Sequence, residues 1–214
     1  MAELLSRTPE DLADAVRADG IQDSRMIAAL RDVPRAVFVP EDQAELAYND
    51  RPIPIPHSQV TTQPSLIARM VESLALRGDE SVLEIGTGYG FQAALLGRLA
   101  RVVWSVERFG DIAAVARRNL ERARVPNVHV VVGDGSGGLP EQAPFDAIVV
   151  SAAFISVPAP LVEQLRSGGR LVQPLGPGGA EDVVLFAKKG HCLVRRGSVT
   201  AAHFVRLYGR HGFG

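Results

Sequence analysis

A chain of 214 residues, 46% of them apolar, is long enough for one α/β domain with a buried core and too short for two large ones. Its 23 Lys and Arg against 24 Asp and Glu leave a net charge of -1, with no basic excess to collect the phosphates of a nucleic acid or an anionic membrane surface. The lone cysteine, Cys192, excludes an intrachain disulfide and a cysteine-built zinc site, so no metal is expected and a reducing cytoplasm is the expected compartment. No run approaches the roughly 20 apolar residues of a membrane span, and acidic residues near the N-terminus stand where an export signal carries basic and then apolar ones.

Residues 8–47 read as helical. Thr8 ahead of Pro9 and Glu10 has the form of an N-cap with proline in the first turn. Leu12, Val16, Met26, Ile27 and Leu30 recur at helical spacing, and Gly20 divides the stretch in two. Across 50–64 four prolines interrupt any regular element, because proline fixes φ and has no N–H to donate; an ordered loop or an edge extension is expected. Helical spacing returns over 65–76. Beyond Ser81, β-rich runs at 81–86, 101–107, 127–134, 145–152, 168–176 and 181–190 alternate with segments at 91–100, 110–124 and 158–166 that suit crossover helices. Continuous apolar strands separated by helices predict a mostly parallel sheet covered on both faces, a Rossmann-like α/β fold. The adjacency of the last two runs, with a turn at 189–190, predicts an antiparallel C-terminal edge. The expected organisation is a helical part with the proline-rich loop over 1–64 and an α/β core over 65–214, joined as one compact unit.

The strongest local signal is "LEIGTGYGFQ" at 83–92, where a buried strand ends in Gly86, Gly88 and Gly90 and a helix begins. Such a turn lets a ligand approach the backbone at the carboxyl edge of the first strand. A glycine-rich strand-to-helix turn also serves NAD, but that fingerprint is G-x-G-x-x-G, and Glu84 two residues before the first glycine is a poor neighbour for a diphosphate. It suits a ligand carrying an ammonium and a sulfonium, which favours S-adenosyl-L-methionine. Glu107, about 20 residues beyond the first glycine, ends the second strand where an acid accepts from both ribose hydroxyls. Asp134 ends the third, where a carboxylate accepts from the adenine amine. Tyr89 is a candidate to flank adenine; Trp104, inside a strand, reads as core.

At this point the chain resembles the protein-L-isoaspartate O-methyltransferase family. The resemblance runs from about residue 32 to about residue 207 and rests on a series of segments in order. These are "VPRAVFVPE" at 33–41, "AYNDRPIPI" at 47–55, "QVTTQPS" at 59–65, "VLEIGTGYGFQAALL" at 82–96, "VVGDG" at 131–135, "PFDAIVVSAA" at 144–153 and "LVEQLRSGGRLVQPLGP" at 161–177. It implies an S-adenosylmethionine-dependent methyltransferase fold. The implied cofactor site takes in Glu84, Gly86, Thr87, Gly88, Tyr89, Gly90, Gln92, Glu107, Arg108, Gly133, Asp134 and Gly135. It implies methyl esterification of the abnormal carboxyl of an L-isoaspartyl residue in a peptide or protein, followed by cyclisation to a succinimide and partial repair.

A free carboxyl, with a pKa of about 4, is already ionised at neutral pH, so its methylation needs no general base. The site has only to hold an oxygen in line with the methyl group, at roughly 3–3.5 Å, and to exclude water. The loop at 58–65 fits this, offering Gln59, Thr61, Thr62 and Gln63 with His57 as its one ionisable neighbour. In the family this loop usually reads "QTISQP" and its serine is taken as the active-site residue; the aligned position here is Thr62, which keeps the hydroxyl and adds a methyl group. Other departures fall near the implied substrate cleft: "SAAFIS" at 151–156, Ala180 and Glu181 where Gly-Gln is common, and Arg206 in place of the proline of "FVP". Phe154 and Arg206 are therefore candidates for substrate recognition. The departures also motivate a rival reading, a relative that methylates a normal aspartate of a dedicated partner peptide. An NAD-dependent oxidoreductase and a catalytically silent binding module are the remaining alternatives.

Overall fold

The computed structural model describes residues 7–214; residues 1–6, on which the expectation about export signals partly rests, lie outside the described residues. Thr8 caps α1 (Pro9–Ala18) through a reciprocal box. Its hydroxyl accepts from the Asp11 N–H at 3.3 Å, and the Asp11 carboxylate accepts from the Thr8 N–H at 2.7 Å. Gly20, at φ 103°, turns the chain towards α2 (Ser24–Asp32), which Asp23 caps. Beyond Asp32 the helical expectation fails. Pro34 and Pro40 remove donors and restrict the residues before them, and the chain takes two 3-10 turns, Arg35–Phe38 and Glu41–Leu46.

The proline-rich stretch forms a small antiparallel hairpin of β1 (Ile53–Ile55) and β2 (Gln59–Thr61), a separate two-stranded sheet and not an extension of the main one. Ile53 and Ile55 are buried while Pro54 between them faces outward, so the alternation that makes a strand survives its prolines. The chain then enters α3 (Pro64–Ser73) with proline at its first position.

The main sheet follows as β3 (Ser81–Ile85), α4 (Phe91–Leu99), β4 (Val102–Glu107), α5 (Gly110–Arg122), β5 (Val128–Val132), β6 (Phe145–Val150), α6 (Ala159–Gln164), β7 (Leu165–Leu175), β8 (Glu181–Lys189) and β9 (Cys192–Ala202). The spatial order is β5-β4-β3-β6-β7-β8-β9; the first five run parallel, and β8 and then β9 each pair antiparallel to the strand before. The turn at 189–190 leads into β9, a strand the sequence did not announce, while β7 and β8 are joined by the glycine-rich turn that follows Leu175. Successive strands leave β3 in opposite directions, which opens a crevice at the carboxyl ends of β3, β4 and β6.

Alternate residues of the strands feed two apolar clusters. Val82, Val103 and Val149 join Leu12, Met26, Leu30, Met70 and Leu95 in one of them; Leu83, Ile85, Ile148, Phe145 and Leu161 form the other. Each fully buried Leu or Ile contributes roughly 1.5–3 kcal/mol. Helices α1, α2 and α3 thus share one core with the sheet, and this holds the hairpin between α2 and α3 in a fixed place above the crevice. No helix among the described residues is long and apolar enough to cross a membrane.

Candidate functional site

A cavity of about 560 Å³ occupies the crevice. The glycine turn after β3 forms its floor, the tips of β4 and β6 its sides, and the hairpin residues 59–63 with the segment 200–208 its outer walls. Gly86 and Gly90 carry φ of 93° and 96°, a conformation that L side chains rarely adopt. Gly86 also passes against Ser151, so an added Cβ would stand 3.4 Å from the Ser151 Cβ. Gly86, Thr87, Gly88, Tyr89, Gln92, Glu107, Arg108 and Gly135 all line the cavity.

Glu107, almost wholly buried, accepts from the Gly88 N–H at 2.9 Å and the Phe109 N–H at 3.1 Å. It ties the glycine turn to the tip of β4 and keeps acceptor capacity for further donors. Arg108 beside it lies over the rings of Phe109 and Tyr208, 4.9 and 5.1 Å from their centroids.

Four of the expected cofactor residues stand off the cavity lining. Glu84 does not line the cavity. It shares a strand face with Val82, is fully buried, and accepts from Ser105 Oγ and, at 3.0 Å, from Gln92 Nε2. Burial pushes its carboxyl up to about 8, against the pull of those two hydrogen bonds and with a further push from Glu107. Gln92 Nε2 also donates to Ser151 Oγ at 2.9 Å, so Glu84 reaches the cavity wall only through Gln92 and Ser151. The Gln92 Oε1 is buried without a partner among the described residues, an acceptor open to a donor. Asp134 and Gly133 do not line the cavity either. The Asp134 carboxylate accepts from Ser136 N and Oγ at 2.9 and 2.6 Å and from the Arg210 N–H at 2.7 Å, so it anchors the C-terminal segment. Gly209 lies so close above it that a side chain there would collide with the carboxylate. Gly133 donates its N–H to the Glu107 carbonyl, and Gly90 caps α4 behind the lining.

On the hairpin side, Gln59, Thr61, Thr62 and Gln63 line the cavity. Arg35 holds them there. Its guanidinium is wholly buried and donates to the carbonyls of Ala47 and Asn49 at 2.8 Å, of Arg51 at 2.9 Å and of Thr62 at 3.5 Å, and to Thr61 Oγ1 at 3.3 Å. Asp50 accepts from Ser65 N at 2.8 Å and from Gln63 Nε2 at 3.0 Å, fixing the entry to α3. Gln59 Nε2 donates to the His57 carbonyl at 2.8 Å, and the Thr62 hydroxyl is left without a partner among the described residues. His57 is one expected residue that does not line the cavity. At φ 59° it turns the tip of the hairpin outward, stacks on Phe109 with 4.2 Å between centroids, and bonds Asp111 through Nε2 at 2.8 Å, outside the lining. Phe154 is another: its ring packs edge-on against Phe213, 5.0 Å away, behind the wall to which Arg206 belongs.

Several contributors were given no role of their own in the sequence, although Ser151 and Ala152 belong to the "SAAFIS" departure near the implied substrate cleft. Ser151 and Ala152 follow the tip of β6, and the rule that strand order reverses beside β3 is enough to place them. Arg35, the one charge in the apolar run "VPRAVFVP" at 33–40, is a visible anomaly. Within the wall at 200–208 Arg206 alone stood out in the sequence; the rest of it and the Asp19–Arg69 pair at its rim, 2.9 Å apart, carry no local signal.

The comparisons with known proteins agree with this geometry. The family model described as protein-L-isoaspartate(D-aspartate) O-methyltransferase matches residues 7–212. A protein-L-isoaspartate O-methyltransferase of Methanoculleus marisnigri is 50% identical over 189 residues, covering 88% of this chain and 86% of the relative. One from Geobacter metallireducens is 47% identical over 195 residues, covering 91% and 90%. A solved protein-L-isoaspartate O-methyltransferase superposes with a TM-score of 0.85 at 31% identity over 96% of this chain and 67% of its own. A Plasmodium falciparum protein crystallised with S-adenosyl-L-homocysteine superposes with a TM-score of 0.80 at 20% identity over 94% and 99%, a likeness of fold. With almost the whole chain matched by the family model and by relatives at about half identity, the chain belongs to the protein-L-isoaspartate O-methyltransferase family.

Proposed function

We propose that this chain transfers the methyl group of S-adenosylmethionine to the free carboxylate of an L-isoaspartyl residue in a peptide or protein. Membership of the family supports the reading. The observation that carries it is one cavity with acceptors on its strand-tip side, Glu107 and the orphaned Gln92 Oε1, facing a hairpin that offers hydroxyl and amide groups. Those acceptors fit the ribose hydroxyls and the ammonium of the cofactor, and the backbone of Gly86 and Gly88 leaves room for it.

Bound there, the cofactor supplies an electrophilic methyl group on a sulfonium. The chain's own task is to bring in an anion that is already ionised, to orient it and to strip it of water, which asks for neutral donors and no base. Among the hairpin groups, Thr61 is held by Arg35 and Gln63 by Asp50 and Ser65, so the unpartnered Thr62 hydroxyl is the donor we assign to the substrate carboxylate. Gln59, Thr61 and Gln63 shape the slot around it. In this division of labour the hairpin within residues 1–64 receives the substrate carboxylate and the α/β core over 65–214 holds the cofactor. The ester made is a better electrophile than the carboxylate: the following main-chain nitrogen displaces methanol, and hydrolysis of the succinimide returns part of the residue as aspartate. Cytoplasm is the compartment we assign, on the single free Cys192.

The reading is tested by incubating the chain with an isoaspartyl peptide and S-adenosylmethionine and following the peptide by mass spectrometry. A base-labile methyl ester that decays to succinimide is expected, and no ester on any isoaspartyl peptide overturns the reading.

A further inference from the structure

Arg206 stands on the cavity wall formed by residues 200–208. Its main chain is fixed to the end of the sheet, because Ala153 N–H donates to the Val205 carbonyl at 2.7 Å and Leu207 N–H donates to the Ala153 carbonyl at 2.8 Å. Its side chain is held as well. Nε donates to the Pro177 carbonyl at 2.8 Å, and Gly178, at φ 98°, comes so near that an added Cβ would stand 2.9 Å from Nε. On the other side the guanidinium lies 5.1 Å from the centroid of Phe213, which Phe154 buttresses edge-on. The residue is exposed, and its two terminal nitrogens have no hydrogen-bond partner among the described residues.

None of the carboxylates around the cavity pairs with Arg206 among the described residues. Asp19 pairs with Arg69, Glu107 accepts from Gly88 and Phe109, Asp134 accepts from Ser136 and Arg210, and Glu181 accepts from the Phe204 N–H at 2.8 Å through Oε2, its Oε1 being buried without a partner among the described residues. Arg206 is therefore a pre-oriented cation at the mouth of the cavity with no internal counter-ion. A guanidinium so held binds a carboxylate in a fork while losing little freedom. The carboxylate it suits is not the reacting one. That group loses its charge on methylation, so a cation clamped to it would stabilise the ground state more than the transition state.

We propose that Arg206 reads an acidic side chain next to the isoaspartyl residue, so that peptides with an acidic flank are the preferred substrates. This rests on the isoaspartyl methyltransferase reading above. An exposed pair of this kind is worth up to about a fivefold preference at low salt and less as salt rises.

The test compares isoaspartyl peptides that differ only in a Glu, Gln or Lys beside the isoaspartyl residue, on either side, with the wild-type chain and with Arg206→Gln. The wild type is expected to favour Glu over Gln and Gln over Lys on at least one side, mainly through KM, with the preference shrinking in high salt. Arg206→Gln brings the Glu to Gln ratio close to one. Equal kcat/KM for the Glu and Gln peptides on both sides in the wild type, or a Glu preference that survives intact in Arg206→Gln, overturns the inference and leaves the isoaspartyl reading standing. Methylation of none of the peptides overturns both.

Discussion

Nη2 of Arg35 lies 3.3 Å from Oγ1 of Thr61, joining the first residue of a 3-10 turn to the last residue of the strand that carries the hairpin's hydroxyls. The same guanidinium gathers the carbonyls of Ala47, Asn49 and Arg51, so one side chain determines the path of two loops. Burying a charge is costly, and here the cost is offset by backbone acceptors instead of a carboxylate contact. Burial lowers the guanidinium pKa to about 10, with nearby Asp50 opposing the shift, and at neutral pH the group remains charged.

Arg35→Met, which roughly keeps the volume and removes the donors, is expected to cost about 3 kcal/mol in urea unfolding, because four carbonyls and the Thr61 hydroxyl lose their donor at once. Arg35→Lys is expected to recover only part of that loss, since a point charge cannot span the fork. In both variants the KM for peptide rises more than kcat falls. Wild-type stability in Arg35→Met would remove Arg35 from its organising role.

Thr62→Ala is expected to lower kcat by about 100-fold while calorimetric affinity for S-adenosylmethionine changes little, because the hydroxyl is assigned to the substrate anion. Thr62→Ser keeps the donor and most of the turnover. Unchanged turnover in Thr62→Ala takes the residue out of the chemistry.

Glu84 predicts the pH dependence of stability. Its carboxyl is raised by burial from an ordinary 4.5 to about 8 in the folded chain. Between these values the folded state keeps a proton that the unfolded state has released, so this group's contribution to stability falls as pH rises and levels off above the folded value. Glu84→Gln removes that slope. Urea midpoints measured without cofactor are expected to converge or cross as pH rises through this window, the variant gaining on the wild type. Parallel curves would mean that Glu84 is ionised throughout.

The parallel sheet and the glycine turn were legible because continuous apolar runs and closely spaced glycines are local signals. Glu84 was read as facing a ligand, yet strand parity alone puts it on the face of Val82, under α4. Asp134 and His57 stand off the lining for a different reason. Ser136, two residues from Asp134, is a local partner, but Arg210 and Asp111 lie 76 and 54 residues away, and nothing near either residue announces them. β9 escaped notice because its residues alternate between exposed and half-buried without an apolar run. Arg35 stood out in the sequence, but its role depends on carbonyls 12 to 27 residues further along.

The most direct measurement takes two peptides identical except that one carries L-isoaspartate where the other carries L-aspartate. Initial rates of methyl transfer from S-adenosylmethionine are compared at equal concentration. The account predicts rapid esterification of the isoaspartyl peptide and little or none of its partner. Faster methylation of the aspartyl peptide would contradict it and make this chain an enzyme that installs the altered linkage instead of clearing it.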